Sequence, residues 1–510
     1  MSALKSAEDY KTGEILNSAK AAPIRVLFST IGGGATLLFI IVALLSKGEF
    51  QKGMAYSWLF AIVYFLTLSV GCIFWTLLHH ASNSGWGVLV RRLMETVGSV
   101  VPALFVLALP IVMIPGIRDA LWEWFPETHR VNEEWAVQKE DVVRKKFEEM
   151  KSGIDAGQKA LDAKKKEWSA SLEKAQPGEK ARIEAEMAAA EASQERLKEA
   201  DPSKAPVQNE VEDEAEAEHF KHASPVLASK RGYLNPGFWY FRYFMFAIAL
   251  SGIIYLLRSW SLRSDSDAAG SGKWFRLMRK WSCGFLPLFA VSWTFLMFDW
   301  LMALDYTWFS TMWGVYLFAG AALNSMAFLI ILLVGLQRSG HLLKVVNAEH
   351  YHIMGKLMHV FVIFWAYIAF SQFFLIWYAN MTEETKFYLL RNSDAWNLYA
   401  KVFLVAGHFF LPFVFLLIRA MKKNMTWIAA AALWNLAMHF FDLYYVIIPE
   451  RGPSLSGGES LLVPYAWITD VLAFLAVGGI FCYFVLRNLG QGSLYPCRDP
   501  RLDESLNLTN

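Results

Sequence analysis

Ten separate stretches of the chain are apolar over roughly 20 residues or more, the length a helix needs to cross about 30 Å of hydrocarbon at about 1.5 Å per residue. They run from Arg25 to Ser46, Met54 to Leu78, Val88 to Gly116, Gly237 to Leu257, Ser282 to Leu304, Thr311 to Leu336, Ile353 to Tyr378, Leu398 to Arg419, Met425 to Ile448 and Val463 to Leu486. Backbone in lipid has no water to bond, so each stretch is confined to helix. The fold class follows: an all-α integral membrane protein with about ten transmembrane helices in a bundle. The third stretch is the least regular. Arg91, Arg92 and Glu95 lie on its first turns, and Pro102, Pro110 and Pro115 interrupt it. Residues 1–24 are polar and lack the apolar core and small-residue cleavage site of a signal peptide, so the first stretch reads as a retained anchor.

Charge divides the chain into two materials. Roughly 39 of its charged side chains fall between Val131 and Pro225, which leaves the rest only about 13% charged. Five segments result: 1–24 as an N-terminal tail, 25–116 with three spans, 117–236 as a charged insertion, 237–487 with seven spans, and 488–510 as a C-terminal tail. The insertion reads as two amphipathic helices broken at Gln176-Pro177-Gly178, with Trp135, Val142, Phe147, Met150, Ile154, Leu161, Trp168 and Leu172 as the apolar stripe. The acidic stretch from Pro202 to Glu218 is expected to be disordered. A solvated spacer and a docking arm for a partner both fit this hairpin. The net charge of +2 and the lack of basic runs interleaved with aromatics exclude a nucleic-acid partner.

Lys and Arg near the span ends set the orientation. One side carries Lys5, Lys11, Lys20, Arg25, Arg91, Arg92, the basic loop from Arg258 to Lys280, Arg338, Lys344, Arg419, Lys422, Lys423, Arg498 and Arg501. The other has only Lys47, Lys52, Lys386, Arg391 and Arg451. Both termini are therefore expected in the cytoplasm, with the insertion on the outer face.

An ionisable side chain within a span costs several kcal/mol unless paired or hydrated, which makes each one a functional candidate. The candidates for a proton path are Glu95, Asp299, His359, His408, His439, Asp442 and Asp470. Glu95 and His359 belong to the cytoplasmic part, His408 lies near the middle, and Asp299, His439, Asp442 and Asp470 lie in the outer half. His439 and Asp442 are three residues apart, hence on one helix face, where a carboxylate can orient an imidazole for proton relay. An interhelical hydrogen bond explains the pair equally well, and core hydrogen bonding is the simpler account of His359 and of His408. No metal-ligand pair of the H-x-x-x-H or E-x-x-H type falls in a predicted span, and a bis-His haem site would need His408 and His439 to face each other. Cys72, Cys283, Cys482 and Cys497 form no C-x-x-C, so no iron–sulfur centre or c-type haem is expected on this chain. No phosphate-binding loop of the ATPase type occurs either.

Two long motifs carry a family resemblance. One is Phe298-Asp299-Trp300-Leu301-Met302-Ala303-Leu304-Asp305 with Trp308-Phe309-Ser310-Thr311-Met312-Trp313-Gly314-Val315-Tyr316. The other is Phe364-Trp365-Ala366-Tyr367-Ile368-Ala369-Phe370-Ser371-Gln372 with Ile376-Trp377-Tyr378-Ala379-Asn380 and Glu383-Glu384-Thr385. Both resemble the ActF-type, NrfD-like integral membrane component of alternative complex III, the bacterial quinol:cytochrome c (or oxidase) oxidoreductase. The ending Asp499-Pro500-Arg501-Leu502 with Glu504-Ser505-Leu506 is similar too, while the charged insertion departs from the family.

The resemblance implies a multi-pass component of the bacterial inner (cytoplasmic) membrane that binds no cofactor and is not catalytic by itself. Its expected partners, besides the lipid bilayer, are a sister NrfD-like subunit, an iron–sulfur subunit, haem c subunits and in some assemblies a terminal oxidase. Menaquinol or another quinol, haem c and the iron–sulfur clusters are expected in those partners. A transmembrane proton path is the expected contribution of this chain. A quinol-binding role, a scaffold and, as the weakest alternative for want of an inverted repeat, a secondary transporter stay open.

Overall fold

The computed structural model describes residues 6–46, 49–173, 176–199, 205–267, 272–452 and 466–509. These residues are helical, with no β-strand among them, and the chain divides into a unit of Met1–Glu123 with Pro236–Asn510 and a second unit of Trp124–Asn235.

In the first unit the helices before the insertion are α1 (Ser18–Leu45), α2 (Glu49–Ala81), α3 (Val88–Gly98), α4 (Val101–Met113) and α5 (Pro115–Leu121). The second unit holds α6 (Trp124–Leu172), α7 (Pro177–Glu199), α8 (Ala205–Ala223) and α9 (Pro225–Lys230). The chain then returns through α10 (Pro236–Ser264), α11 (Lys273–Trp300), α12 (Trp313–Arg338), α13 (Ala348–Ala379), α14 (Thr382–Leu390) and α15 (Asp394–Tyr399). A π-helical segment (Ala400–Phe410) joins α15 to α16 (Leu411–Leu417), followed by α17 (Arg419–Lys423), α18 (Met425–Ile447), α19 (Ala466–Leu489) and α20 (Leu502–Leu506). Ten helical stretches among the described residues are long and apolar enough to cross a membrane, matching the ten stretches of the sequence.

Burial separates the centre of this bundle from its rim. In α2 the most apolar window is 89% buried and in α12 78%, whereas in α1 it is only 11%. A helix apolar on every side is accepted both in a protein interior and against lipid, so composition alone does not separate the two. Small residues do. A Cβ on Gly32 would lie 2.7 Å from the Ile480 backbone nitrogen, and one on Gly479 would lie 2.5 Å from the Gly32 nitrogen, so α1 and α19 pack backbone to backbone.

Side-chain caps set the helix starts. Asn17 accepts from the amides of Ala19 and Lys20, Asn424 from those of Thr426 and Trp427, and Asn347 forms a capping box with His350. The third expected span is in fact two helices, broken at Ser99-Val100 because Pro102 suits the first turn of a new helix. Pro110 stays inside α4, and Pro115 opens α5. The cap at Asn347 starts α13 five residues before the expected Ile353, so Glu349 and His352, an E-x-x-H pair, do lie in the seventh span. There Glu349 accepts from Lys423 and stands 3.2 Å from His352. The expected start of the tenth span, Val463, lies outside the described residues.

The two tails are tied together. Ile15 and Ser493 form a bridge, the Leu494 amide donates to the Glu14 carbonyl at 2.7 Å, and the Glu14 carboxylate accepts from the Leu342 amide at 3.0 Å. Burial against this strap pushes the Cys497 thiol up to about 11.

Within the second unit, α6 ends at Leu172 and α7 begins at Pro177, so of the expected break at 176–178 only Gln176 precedes the new helix. The expected disorder of Pro202–Glu218 is corrected for the described part, since α8 spans Ala205–Ala223; residues 202–204 lie outside it. Long-range charge pairing accounts for the helix. Lys139 pairs with Glu212, Lys146 with Glu218 at 2.8 Å, and Trp135 packs 5.5 Å from His219. An acidic run judged alone repels itself; laid along basic positions of α6 it is compensated.

Lys146 holds the Glu218 carboxyl below its ordinary range. The stability this adds is complete above the ordinary carboxylate value and is lost as pH falls through the lowered one. Amide exchange across α8 is therefore expected to accelerate below about pH 4, as hydrogen-exchange mass spectrometry would show. Gly32→Val or Gly479→Val is expected to cost about 1–3 kcal/mol by overpacking, seen as a lowered thermal midpoint. Gly33→Val, facing open space, serves as the neutral control.

Candidate functional site

Three of the expected path residues meet where α12, α13, α18 and the π-helical segment pack together. Asp442 accepts a short hydrogen bond from the Tyr316 hydroxyl on one oxygen and a 3.0 Å bond from the Trp365 indole on the other. The second oxygen lies 3.7 Å from His439 Nδ1, and His439 Nε2 lies 3.2 Å from the Thr67 hydroxyl of α2, which itself donates to the Tyr64 carbonyl. The rings of Trp365 and His408 are 4.0 Å apart, and those of His408 and His439 are 6.1 Å apart. All of these polar side chains are sealed from solvent.

Local sequence explains how this cluster closes. Gly320 faces His439, and a Cβ there would stand 2.7 Å from the imidazole Cε1, so only glycine lets α12 approach the ring. Gly407 likewise leaves room for the Met438 sulfur. His408 sits in the π-helical stretch, a geometry that is rare and recurs at functional sites. Neither of its ring nitrogens has a hydrogen-bond partner among the described residues, a costly arrangement for a buried imidazole. His439 Nε2 meets Thr67, while its Nδ1, 3.7 Å from Asp442, has no hydrogen-bond partner among the described residues.

The other candidates occupy separate stations. Asp299 accepts from Arg242 Nε and Nη2, both at 2.8 Å, in a buried two-pronged pair. Asp470 accepts from Ser57 at 2.6 Å, from Tyr444 at 3.1 Å and from Arg451. Glu95 lies 3.2 Å from Arg91 Nε and 3.3 Å from Arg92 Nε, and those arginines reach on to Asp499 at 2.7 Å and Asp265 at 2.9 Å. His359 is half-buried and stacks on Phe413. Asp442 thus differs from every other buried candidate acid: its donors are a phenol and an indole, and no guanidinium pairs with it among the described residues.

Helix α2 connects the stations. Ser57 touches the Asp470 pair and Thr67 touches His439, while His79 lies 3.5 Å from Arg91. Ten residues separate the first two and twelve the next two, about 15 and 18 Å along the axis. Together these distances match the thickness of a bilayer core.

Arg242 meets the same rule that picks out Asp299, since it lies inside the fourth expected span, yet it is missing from the sequence candidates. Tyr316 and Trp365 carry no charge, so the rule for ionisable side chains passes them over, although both fall in the quoted motifs. Arg451 lies beyond its span end, and only the fold brings it to Asp470.

Replacing Arg242 by Met strands a buried carboxylate and is expected to cost about 3–5 kcal/mol. Arg242→Met with Asp299→Leu should recover most of that loss, measured as the thermal midpoint in detergent. The chain matches no protein-family model and no curated protein.

Proposed function

We propose that this chain is the cofactor-free membrane component of a bacterial respiratory quinol:cytochrome c (or oxidase) oxidoreductase and lends it a transmembrane proton path centred on Asp442. The observation that carries the reading is the contrast among the buried acids. A carboxylate clamped by a guanidinium stays an anion, because protonating it abandons the pair and leaves the cation uncompensated. Among the described residues Asp442 has no such clamp. Its phenol and indole donors serve either protonation state, and His439 stands within reach as the next carrier.

His408 extends the relay. With both nitrogens unpartnered among the described residues and its ring beside Trp365, it can pass a proton to or from water in the π-helical region. Thr67 continues the polar line onto α2, toward the Asp470 station at one end and the Glu95 station at the other. Those stations, rich in fixed ion pairs, act as charged mouths rather than carriers. Quinol oxidation in a partner subunit would supply the driving force by changing the field across the bundle. The resemblance around Asp299, Trp365 and Asp499 supports such a complex, with haem c and iron–sulfur clusters in partner chains, and the Lys and Arg bias at the span ends supports both termini in the cytoplasm.

The test uses the intact complex in proteoliposomes. Asp442→Asn keeps the side-chain shape and the bond from the Trp365 indole, turns its amide to donate to the Tyr316 oxygen and removes the titrating oxygen, and is expected to lower proton translocation per electron at least about tenfold while quinol oxidation in uncoupled vesicles continues. Asp442→Glu should restore a large part of it. An unchanged proton-to-electron ratio in Asp442→Asn would leave the chain a scaffold. Purification without haem c and iron–sulfur partners would remove the complex itself.

A further inference from the structure

A second polar site lies at the end of α2 away from Ser57, separate from the Asp442 cluster. His79, His80, Arg91, Arg279, Asp499 and Arg501 line a pocket closed on one side by Phe275 and by the turn at Asn83-Ser84. Its makeup is lopsided. Three guanidinium groups and one carboxylate line it; Asp499 holds Arg91 at 2.7 Å and the Arg501 amide at 2.8 Å, Glu95 also pairs with Arg91 and Glu504 with Arg501, which leaves Arg279 without a carboxylate partner among the described residues.

The donors are left over on the inner wall. His79 Nδ1, His80 Nε2 and Arg91 Nη2 have no hydrogen-bond partner among the described residues, although His79 and His80 are only 5% exposed and Arg91 2%. Buried donors without acceptors cost free energy, and an oxyanion set among them would recover it. Gly87 keeps the geometry open, since a Cβ there would stand 2.8 Å from His79 Nδ1. At the mouth, Arg279 is exposed.

We propose that this pocket binds the phosphate group of an anionic ligand. His80 and Arg91 donate from within, and Arg279 closes on the remaining oxygens. A tetrahedral oxyanion with three or four acceptor oxygens suits guanidinium forks that approach from several directions. The ligand is either a phospholipid of the adjoining leaflet or free phosphate. On the helices that border the pocket, Leu78 and Trp281 are 36% and 46% exposed just beyond it, where acyl chains would lie. The pocket shares His79 and Arg91 with the Glu95 station, while His80 and Arg279 belong to it alone, so its occupancy is read separately from proton transfer.

The test is native mass spectrometry of the full chain in detergent, offered phosphatidylglycerol in one arm and inorganic phosphate in the other. Wild type is expected to hold one such ligand through detergent exchange. Arg279→Gln and His80→Phe, the first on the surface and the second preserving ring volume, should each lower occupancy at least about fivefold. Retention of the lipid identifies the leaflet as the source, and retention of phosphate alone identifies a soluble ligand. Wild type holding neither, or either variant holding as much as wild type, would overturn the assignment. Circular dichroism and thermal midpoints of both variants confirm that a loss reports binding rather than unfolding.

Discussion

Everything in the membrane unit depends on how buried charge is compensated where no water is at hand. The ion pairs of Asp299 with Arg242, Asp470 with Arg451 and Glu95 with Arg91 and Arg92 hold buried carboxylates in place. The first two join separate elements, so each fixes the packing of the helices that carry it. Such pairs add little net stability over an apolar replacement, yet they punish any packing that separates the partners. They act chiefly as register marks. Against this background the neutral surroundings of Asp442 are a choice of chemistry, since an arginine there would have fixed its charge.

The large features were legible in the sequence because they follow from length and hydropathy. Ten spans were visible because hydrocarbon thickness imposes a length, and the break before Pro177 because Pro suits the first turn of a new helix. Finer features depended on distant partners. Nothing local in Pro202–Glu218 says that basic positions on α6 lie alongside; acidity there implied disorder, and helix resulted in the described part. Asn347 caps a helix that hydropathy starts only at Ile353, since capping depends on one side chain and not on the average of a window.

The site divides the same way. His439 and Asp442 share a face by spacing alone, and that much is helical geometry. That His408 joins them required the π-helical segment, which has no dependable sequence signature. Arg242 was within reach of the same rule as Asp299. Tyr316 and Trp365 were not, because an aromatic in a span is normal until its hydroxyl or N–H is seen to meet a carboxylate. The pocket at His79 and His80 escaped for another reason: its donors come from α2, α3, α11 and the C-terminal tail, far apart in the chain.

The pairing of α1 with α19 bears on how the protein is made. The first span packs chiefly on the last, with Gly32 against Gly479, and its partner is synthesised about 420 residues later. At ordinary elongation rates that is a wait of roughly 20 to 80 s. During it α1 must persist as a lone span, and its strongly apolar sequence suits that role. The Glu14–Leu494 bond forms only after the tenth span is in place, so the segment that follows that span latches the one that precedes α1.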